Sequence, residues 1–110
     1  MIKGNTFCEC KALTSVVIPA SVTTIEWAAF YGCSALEMVT IQGPVECIER
    51  KAFANCSSLK TLTLPAGIKK IDKTAFDDCS ALKTIKVPAK KGNYYKKRLP
   101  ANLQDLIVEQ

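Results

Sequence analysis

Three residue types recur in this chain at a fixed interval of 23 residues. The phenylalanines are Phe7, Phe30, Phe53 and Phe76, the cysteines are Cys10, Cys33, Cys56 and Cys79, and the leucines are Leu13, Leu36, Leu59 and Leu82. Further apolar columns with the same interval begin at Ile2, Val16 and Ile18. A constant period of this length indicates stacked, nearly identical units, because one unit alone is too small to bury its apolar face. The chain is therefore predicted to form an elongated repeat scaffold.

Each unit is predicted to contain one strand and one short turn. In the third unit, Leu62 and Leu64 alternate with threonines, which is the period of a strand with one buried face. Pro65 then ends the strand, since proline has no N–H to donate. The apolar spacing in residues 52–56 suits a single helical or 3₁₀ turn, which is too short to be stable alone. Strands of neighbouring units are expected to pair in parallel, about 4.8 Å apart.

One combined pattern identifies the type of repeat. It reads Leu-x-x-Leu-x-Leu-Pro at residues 59–65, then isoleucine, then Ala-Phe-x-x-Cys at residues 75–79. Over about residues 2–88 this pattern resembles the leucine-rich repeats of the BspA-like class, also called the Treponema-type. The resemblance implies an α/β solenoid, a right-handed leucine-rich-repeat stack with one parallel β-sheet and short helical or 3₁₀ turns on the convex side. It also implies a role in adhesion to host or bacterial proteins, since members are mostly bacterial surface proteins, with some in parasitic protists.

The repeat divides the chain into two parts. Residues 1–93 are predicted to form four 23-residue repeats, of which the first is truncated and has no N-terminal cap. Residues 94–110 are predicted to be a degenerate C-terminal capping coil with a final strand at 106–108. Tyr94, Leu99 and Val108 fall in the Ile, Phe and Ile85 columns. An uncapped apolar end favours self-association, so we expect either a fragment of a longer array or a homo-oligomer through the N-terminal end.

Enzymatic and metal chemistry have little support in the composition. The chain has no histidine, so it cannot form a Ser-His-Asp or Cys-His catalytic arrangement. The four periodic cysteines are spread along the stacking axis, so we expect free core thiols rather than a zinc site. A disulfide between stacked neighbours is the alternative. Cys8 and Cys47 lie off the buried columns and are expected to be exposed. We predict no catalytic residue, no metal and no cofactor.

Charge is distributed unevenly around a formal net value of +5. Acidic side chains predominate in residues 1–49 and basic ones in residues 50–110, an asymmetry that can steer head-to-tail contacts or attract an anionic partner. In the tail, Lys90, Lys91, Lys96, Lys97 and Arg98 bracket Tyr94 and Tyr95. Basic residues around aromatic rings can bind single-stranded nucleic acid. No nucleic-acid motif accompanies them, so nucleic acid is not the expected partner.

The sequence also bears on location. No run approaches the roughly 18 apolar residues that cross a bilayer, so membrane insertion is not expected. The N-terminus lacks the apolar stretch of a signal peptide. The family resemblance points to the cell surface or to secretion, whereas the sequence itself leaves a cytoplasmic location open.

Two outward columns of the predicted concave sheet are the main candidate binding residues, because repeat arrays generally bind through this surface. The first column is Ser15, Met38, Thr61 and Thr84, and the second is Val17, Thr40, Thr63 and Lys86. Thr14, Glu37, Lys60 and Lys83 border them. The alternative interpretation is that threonine is simply favoured on a solvated strand face.

Trp27 is a second candidate, at an outward position in the column that continues to Arg50. Tyr31 would share its face if the turn between them is helical, and an exposed Trp-Tyr pair can anchor a protein contact. Alternatively, Arg50 of the next coil stacks on the Trp27 ring. The sequence leaves both interpretations open.

These observations predict a non-enzymatic leucine-rich-repeat scaffold that binds a protein ligand. The chain would be a segment of a bacterial surface or secreted adhesin-like protein. The alternative is a structural or self-associating repeat fragment without an external ligand. An upstream signal peptide with further repeats would favour the first function, and a free-standing cytosolic reading frame the second.

Overall fold

Short parallel strands alternate with turns along the whole coiled path of the chain. The computed structural model describes residue 4 and residues 6–110, so the predicted role of Ile2 lies outside the described residues. The strands are β1 (Ser15–Ile18), β2 (Thr24–Ile25), β3 (Met38–Ile41), β4 (Cys47–Ile48), β5 (Thr61–Thr63), β6 (Lys70–Ile71), β7 (Thr84–Val87) and β8 (Ile107–Glu109), and the helices are α1 (Gly92–Lys96) and α2 (Ala101–Gln104). Their arrangement confirms the predicted solenoid of stacked coils with parallel strands.

The main sheet contains five strands in the order β1-β3-β5-β7-β8. Between β1 and β7 it pairs residues one period apart, so that Val16 lies beside Val39 and Val39 beside Leu62. This register follows from the sequence, because a slip of one residue would turn the whole apolar column toward solvent. Val39, Leu62 and Ile85 are fully buried, as the alternation predicts.

A second parallel sheet, β2-β4-β6, is present where only one sheet was predicted. Each of its strands has two residues, and Ile25, Ile48 and Ile71 are paired in succession. The isoleucine column was visible in the sequence, but two residues are too few to show the alternation that identifies a strand. The three coils that contain β1 to β6 are therefore hydrogen-bonded to one another along two sheets.

The predicted 3₁₀ turns occupy the side of the coil that carries phenylalanine. In the second coil, the N–H of Ala29 donates to Glu26 and that of Cys33 to Phe30, three residues back in each case. Ala28 and Lys51, with φ of 55° and 58°, are in the left-handed region in the second and third coils. A further left-handed residue recurs at one position in each of the first four coils and prevents a continuous helix. These residues are Glu9, Gly32, Asn55 and Asp78, with φ of 58°, 72°, 61° and 58°. The coils also bond to each other here, since the Phe30 N–H donates to Ala52 O at 2.7 Å.

The four phenylalanines form one continuous column of rings, the Phe stack. Successive ring centroids are 5.0, 5.0 and 5.3 Å apart, and successive ring planes are within 7° of parallel. Phe30 and Phe53 have no solvent exposure, whereas Phe7 is 38% exposed. The predicted inward stacking of Phe30 on Phe53 is confirmed.

The periodic cysteines lie beside the Phe stack and, like Cys8 and Cys47, are free thiols. Three of them donate Sγ–H to a phenylalanine carbonyl one coil earlier: Cys33 to Phe7 at 3.1 Å, Cys56 to Phe30 at 3.3 Å and Cys79 to Phe53 at 3.2 Å. Cysteine suits this column because it is small, apolar and a weak donor. Burial raises the pKa of the Cys33 thiol, which keeps the donor proton in place.

The last coil replaces the turns with two short helices. Tyr95 of α1 is fully buried, and its hydroxyl donates to Pro65 O and accepts from the Ile68 N–H at 3.3 Å. Leu99 is 4% exposed, which agrees with its predicted place in the Phe column. The half-buried Tyr94 donates its hydroxyl proton to Ile68 O at 2.9 Å. The aromatic side chains therefore tie the last coil to the preceding one.

The predicted position of Val108 in the Ile85 column is wrong. Ile107 pairs with Ile85, while Val108 pairs with Lys86 and is 51% exposed. The last coil is one residue shorter than the period at this point, and a one-residue change reverses which side chains face the core. The final strand accordingly spans Ile107–Glu109 instead of 106–108.

Candidate binding surfaces

The two predicted columns lie on the solvent side of the main sheet, which we call the open face. Strand pairing aligns Ser15, Met38, Thr61 and Thr84 in one column, and Val17, Thr40, Thr63 and Lys86 in the other. Val108 extends the second column by one strand. The period of 23 did not place Val108 on this face, because the last coil is one residue short and the alternation of buried and exposed side chains is shifted there. All eight predicted side chains are therefore on one surface.

The open face is mixed in chemistry. Val17 is 56% exposed and Met38 is 49% exposed, and they lie on neighbouring strands. The four threonines of the two columns, Thr40, Thr61, Thr63 and Thr84, are half-buried. A surface with exposed apolar side chains among hydroxyl groups can bury apolar area and also form hydrogen bonds with a partner.

A row of residues just before the strands borders the open face. The Glu37 N–H donates to Thr14 O at 2.7 Å, the Lys60 N–H to Glu37 O at 2.9 Å, and the Lys83 N–H to Lys60 O at 3.0 Å. These backbone bonds align the side chains coil by coil. The row is neutral at its start, acidic at Glu37 and basic at Lys60 and Lys83.

Trp27 and Tyr31 lie on a different side of the coil, beyond the second sheet. Both line a groove of about 320 Å³ together with Cys8, Ala28 and Lys51. Trp27 is 44% exposed, and the guanidinium carbon of Arg50 is 5.9 Å from the centre of its ring. The structure thus contains the cation–π contact and still leaves part of Trp27 exposed.

Trp27 also borders a second groove of about 300 Å³. It is lined by Trp27, Cys47, Ile48, Glu49, Arg50, Lys70 and Asp72. Cys8 and Cys47, which were expected to be exposed, are half-buried. Burial raises the pKa of the Cys47 thiol, which lowers its fraction of reactive thiolate at neutral pH.

A carboxylate column was not recognised as functional in the sequence. Glu26 Oε1 accepts the Gly4 N–H at 3.1 Å, and Glu49 Oε1 accepts the Trp27 N–H at 3.2 Å. In both cases the carboxylate closes a turn of the preceding coil. The signal was present as acidic residues at the period of 23, at Glu26, Glu49 and Asp72.

Asp72 acts within its own coil. Its Oδ1 accepts from the Thr74 N–H at 2.9 Å and from the Thr74 hydroxyl at 2.7 Å. These bonds, the side-chain bond first, lower the pKa of the Asp72 carboxyl. Thr74 Oγ1 in turn accepts the Lys51 N–H at 3.2 Å. Asp72 is therefore linked to the previous coil through hydrogen bonds of Thr74.

The aromatic rings of the basic tail are engaged within the protein. The guanidinium carbon of Arg98 is 3.6 Å from the Tyr94 ring centre and Lys91 Nζ is 5.1 Å from it. Tyr95 is fully buried. Base stacking on either ring would require these contacts to be broken first.

The described part of the chain contains neither a cluster of metal ligands nor a membrane-spanning helix. No group of three potential ligands among its Cys, Asp and Glu residues is placed to hold a metal ion. None of its helices has the length and apolar character needed to cross a membrane.

The fold is shared with bacterial leucine-rich-repeat proteins of known structure. A leucine-rich repeat protein from Bacteroides capillosus ATCC 29799 is 34% identical, covering 77% of this chain and 60% of that one, with a TM-score of 0.70. A leucine rich cell surface protein from Faecalibacterium prausnitzii A2-165 is 26% identical over 84% of this chain and 31% of that one, with a TM-score of 0.65. The T. pallidum leucine rich repeat protein is 26% identical over 77% and 50%, with a TM-score of 0.53.

This chain spans 60% or less of the length of each of these proteins. No match is found among curated proteins. The family model of the BspA type leucine rich repeat region, in contrast, matches residues 1–103 with six copies of the repeat. Together with the parallel coils and the Phe stack, this match shows that the chain belongs to the BspA-type leucine-rich-repeat family.

Proposed function

We propose that this chain is a non-enzymatic scaffold that binds a protein ligand through the open face. It would act as a segment of a bacterial surface or secreted adhesin-like protein. The family match and the similarity to a protein described as a cell surface protein support the location. The aligned outward columns on a rigid sheet support the binding role.

The observation that carries this proposal is the exposure of Val17 and Met38 on adjacent strands. The fold does not need apolar side chains there, because the core lies on the other side of the sheet. Apolar side chains that are exposed together on an otherwise hydroxyl-rich surface are a feature of protein interaction sites. The groove beside Trp27 and Tyr31 is a second contact point in the same proposal.

The open face can be tested by blocking it. A phage-displayed library of extracellular protein fragments is selected on the immobilised chain, and the selected fragments are then measured against a Thr40→Glu/Thr63→Glu variant. We expect at least a tenfold loss of affinity, about 1.4 kcal/mol. A Ser57→Glu/Ser80→Glu variant adds the same charge at exposed turns near the Phe stack and should bind as the wild type does. Equal binding to all three proteins would reject the open face.

Self-association is the second candidate function. Within the described residues, β1 pairs with a strand on one side only, and Phe7 at the same end stacks on one ring and is 38% exposed. An unpaired edge beside exposed apolar surface is a template for a second copy. Light scattering across protein concentration tests this, since a mass that stays that of a monomer would rule it out.

A further inference from the structure

The open face changes in chemistry along the stacking axis. Its first two strands carry the apolar patch, which consists of Val17 and Met38. Its next two strands carry the lysine cluster, which consists of the exposed side chains of Lys60, Lys83 and Lys86. Thr61, Thr63 and Thr84 lie half-buried among the lysines. A partner that fits this surface must therefore match two different chemistries.

The lysine cluster has no carboxylate partner within the described part of the chain. Among the described residues, an ion pair joins Lys69 to Glu46 at 3.5 Å, and it lies away from the cluster. Glu37 lies one coil before Lys60 in the border row, and Asp105 lies in the coil after Lys83, so acidic residues bound the cluster without pairing to it. The three cations exceed the two flanking carboxylates by one charge and none of them forms an ion pair with a described residue, so this half of the face has a net positive potential.

The dimensions of the sheet fix the distance between the two patches. Met38 is on β3 and the lysines of the cluster lie on or just before β5 and β7. Two strand spacings separate β3 from β7, which is about 10 Å, and one spacing of about 5 Å separates β3 from β5. Lys83 and Lys86, three residues apart in the sequence, are also separated by about 10 Å along the strand direction. A short peptide segment is long enough to contact both patches.

We propose that the open face binds a protein segment that carries acidic side chains opposite the lysine cluster and an apolar side chain, about 5–10 Å away, opposite the apolar patch. This rests on the proposed function and specifies the chemistry of the ligand. Burial of Val17 and Met38 supplies affinity, while the lysines supply register and a fast association rate. The threonine hydroxyls between them can bond to the main chain of the segment.

An anionic polymer without apolar groups is a weaker fit for this face. The last coil offers such a polymer the same number of exposed cations, at Lys90, Lys96 and Lys97. If charge alone decided binding, ligands would contact the last coil at least as strongly as the lysine cluster. Substitution of Lys90, Lys96 and Lys97 is therefore the matched control for substitution of the lysine cluster.

The test is selection of a random 12-residue peptide library, displayed on phage, on the full chain. We expect the selected peptides to combine aspartate or glutamate with an apolar residue. A Lys60→Glu/Lys83→Glu/Lys86→Glu variant should lose at least about tenfold in affinity for them. The Lys90→Glu/Lys96→Glu/Lys97→Glu variant has the same net charge and should stay within about threefold of the wild type. Circular dichroism establishes that both variants are folded.

Several results would overturn the proposal. They are an absence of enriched peptides, enrichment without acidic residues, and equal losses in the two triple variants, which would indicate binding to charge alone. Failure of this inference is distinguishable from failure of the proposed function. Peptides that lack acidic residues but lose affinity for the Thr40→Glu/Thr63→Glu variant would keep the open face as the binding surface and reject only its proposed ligand chemistry.

Discussion

At the scale of single residues, Gly43 shows how closely the coils approach. A Cβ atom at this position would lie 2.4 Å from the Ala20 Cα and 2.9 Å from its carbonyl carbon and oxygen. The obstacle is backbone, which cannot rotate away as a flexible side chain can. The equivalent residues in the other coils are exposed alanines. This coil differs from the others in that Gln42 replaces the usual proline.

Gly43→Ala is therefore expected to destabilise the protein by about 1–3 kcal/mol, because the two coils must move apart to accommodate one methyl group. Chemical denaturation measured by circular dichroism gives the free energy of unfolding. Ala66→Ser, in the same column but exposed, is the control and should change the stability by less than about 0.5 kcal/mol. Equal stability of Gly43→Ala and wild type would contradict the close approach.

The Asp72 carboxylate predicts a pH dependence. Its pKa is lowered from 3.8 in the folded protein, so its contribution to stability is complete above that value and is lost as pH falls through the folded pKa. Asp72→Asn should be less stable than the wild type at pH 7, by no more than about 1 kcal/mol because solvent screens a partly exposed group. Denaturation at several pH values should show this difference shrinking below pH 3.8. A difference that is constant with pH would reject the interpretation.

At the scale of elements, the sequence predicted the main strands and the Phe side but not the second sheet. A strand such as β5 is defined by apolar residues that recur every 23 positions, by their alternation with polar residues and by the proline that follows. Its place and register therefore follow directly from the sequence. β2 and its partners have two residues each, which gives no detectable period. The Val108 error has a related cause, since counting in steps of 23 cannot detect a coil that is one residue short.

The last coil, which we propose to be a cap, depends on the buried hydroxyl of Tyr95. Tyr95→Phe leaves Pro65 O without its donor and the Ile68 N–H without its acceptor, which should cost about 1–3 kcal/mol. Tyr94→Phe is the control, because the Tyr94 hydroxyl makes one bond from a half-buried position and should matter less. Thermal unfolding compares the two variants, and a larger effect of Tyr94→Phe would contradict this assignment.

At the scale of the whole molecule, the binding surface is a consequence of the stack. The residues of the open face were predictable because they alternate with buried columns, whereas its ligand was not, since no residue pattern on a solvated strand specifies a partner. The placement of Trp27 and Tyr31 beside one groove was also predictable, although part of Trp27 remains exposed despite its contact with Arg50. All of these positions require that successive coils lie directly over one another.

The most direct test of that requirement compares Phe53→Ala with Phe7→Ala in the free energy of unfolding. Phe53 has no exposure and stacks on two rings, whereas Phe7 is 38% exposed and stacks on one among the described residues. We predict a loss of about 3–5 kcal/mol for Phe53→Ala and a clearly smaller loss for Phe7→Ala. Equal losses, or a greater loss for Phe7→Ala, would contradict the continuous Phe stack.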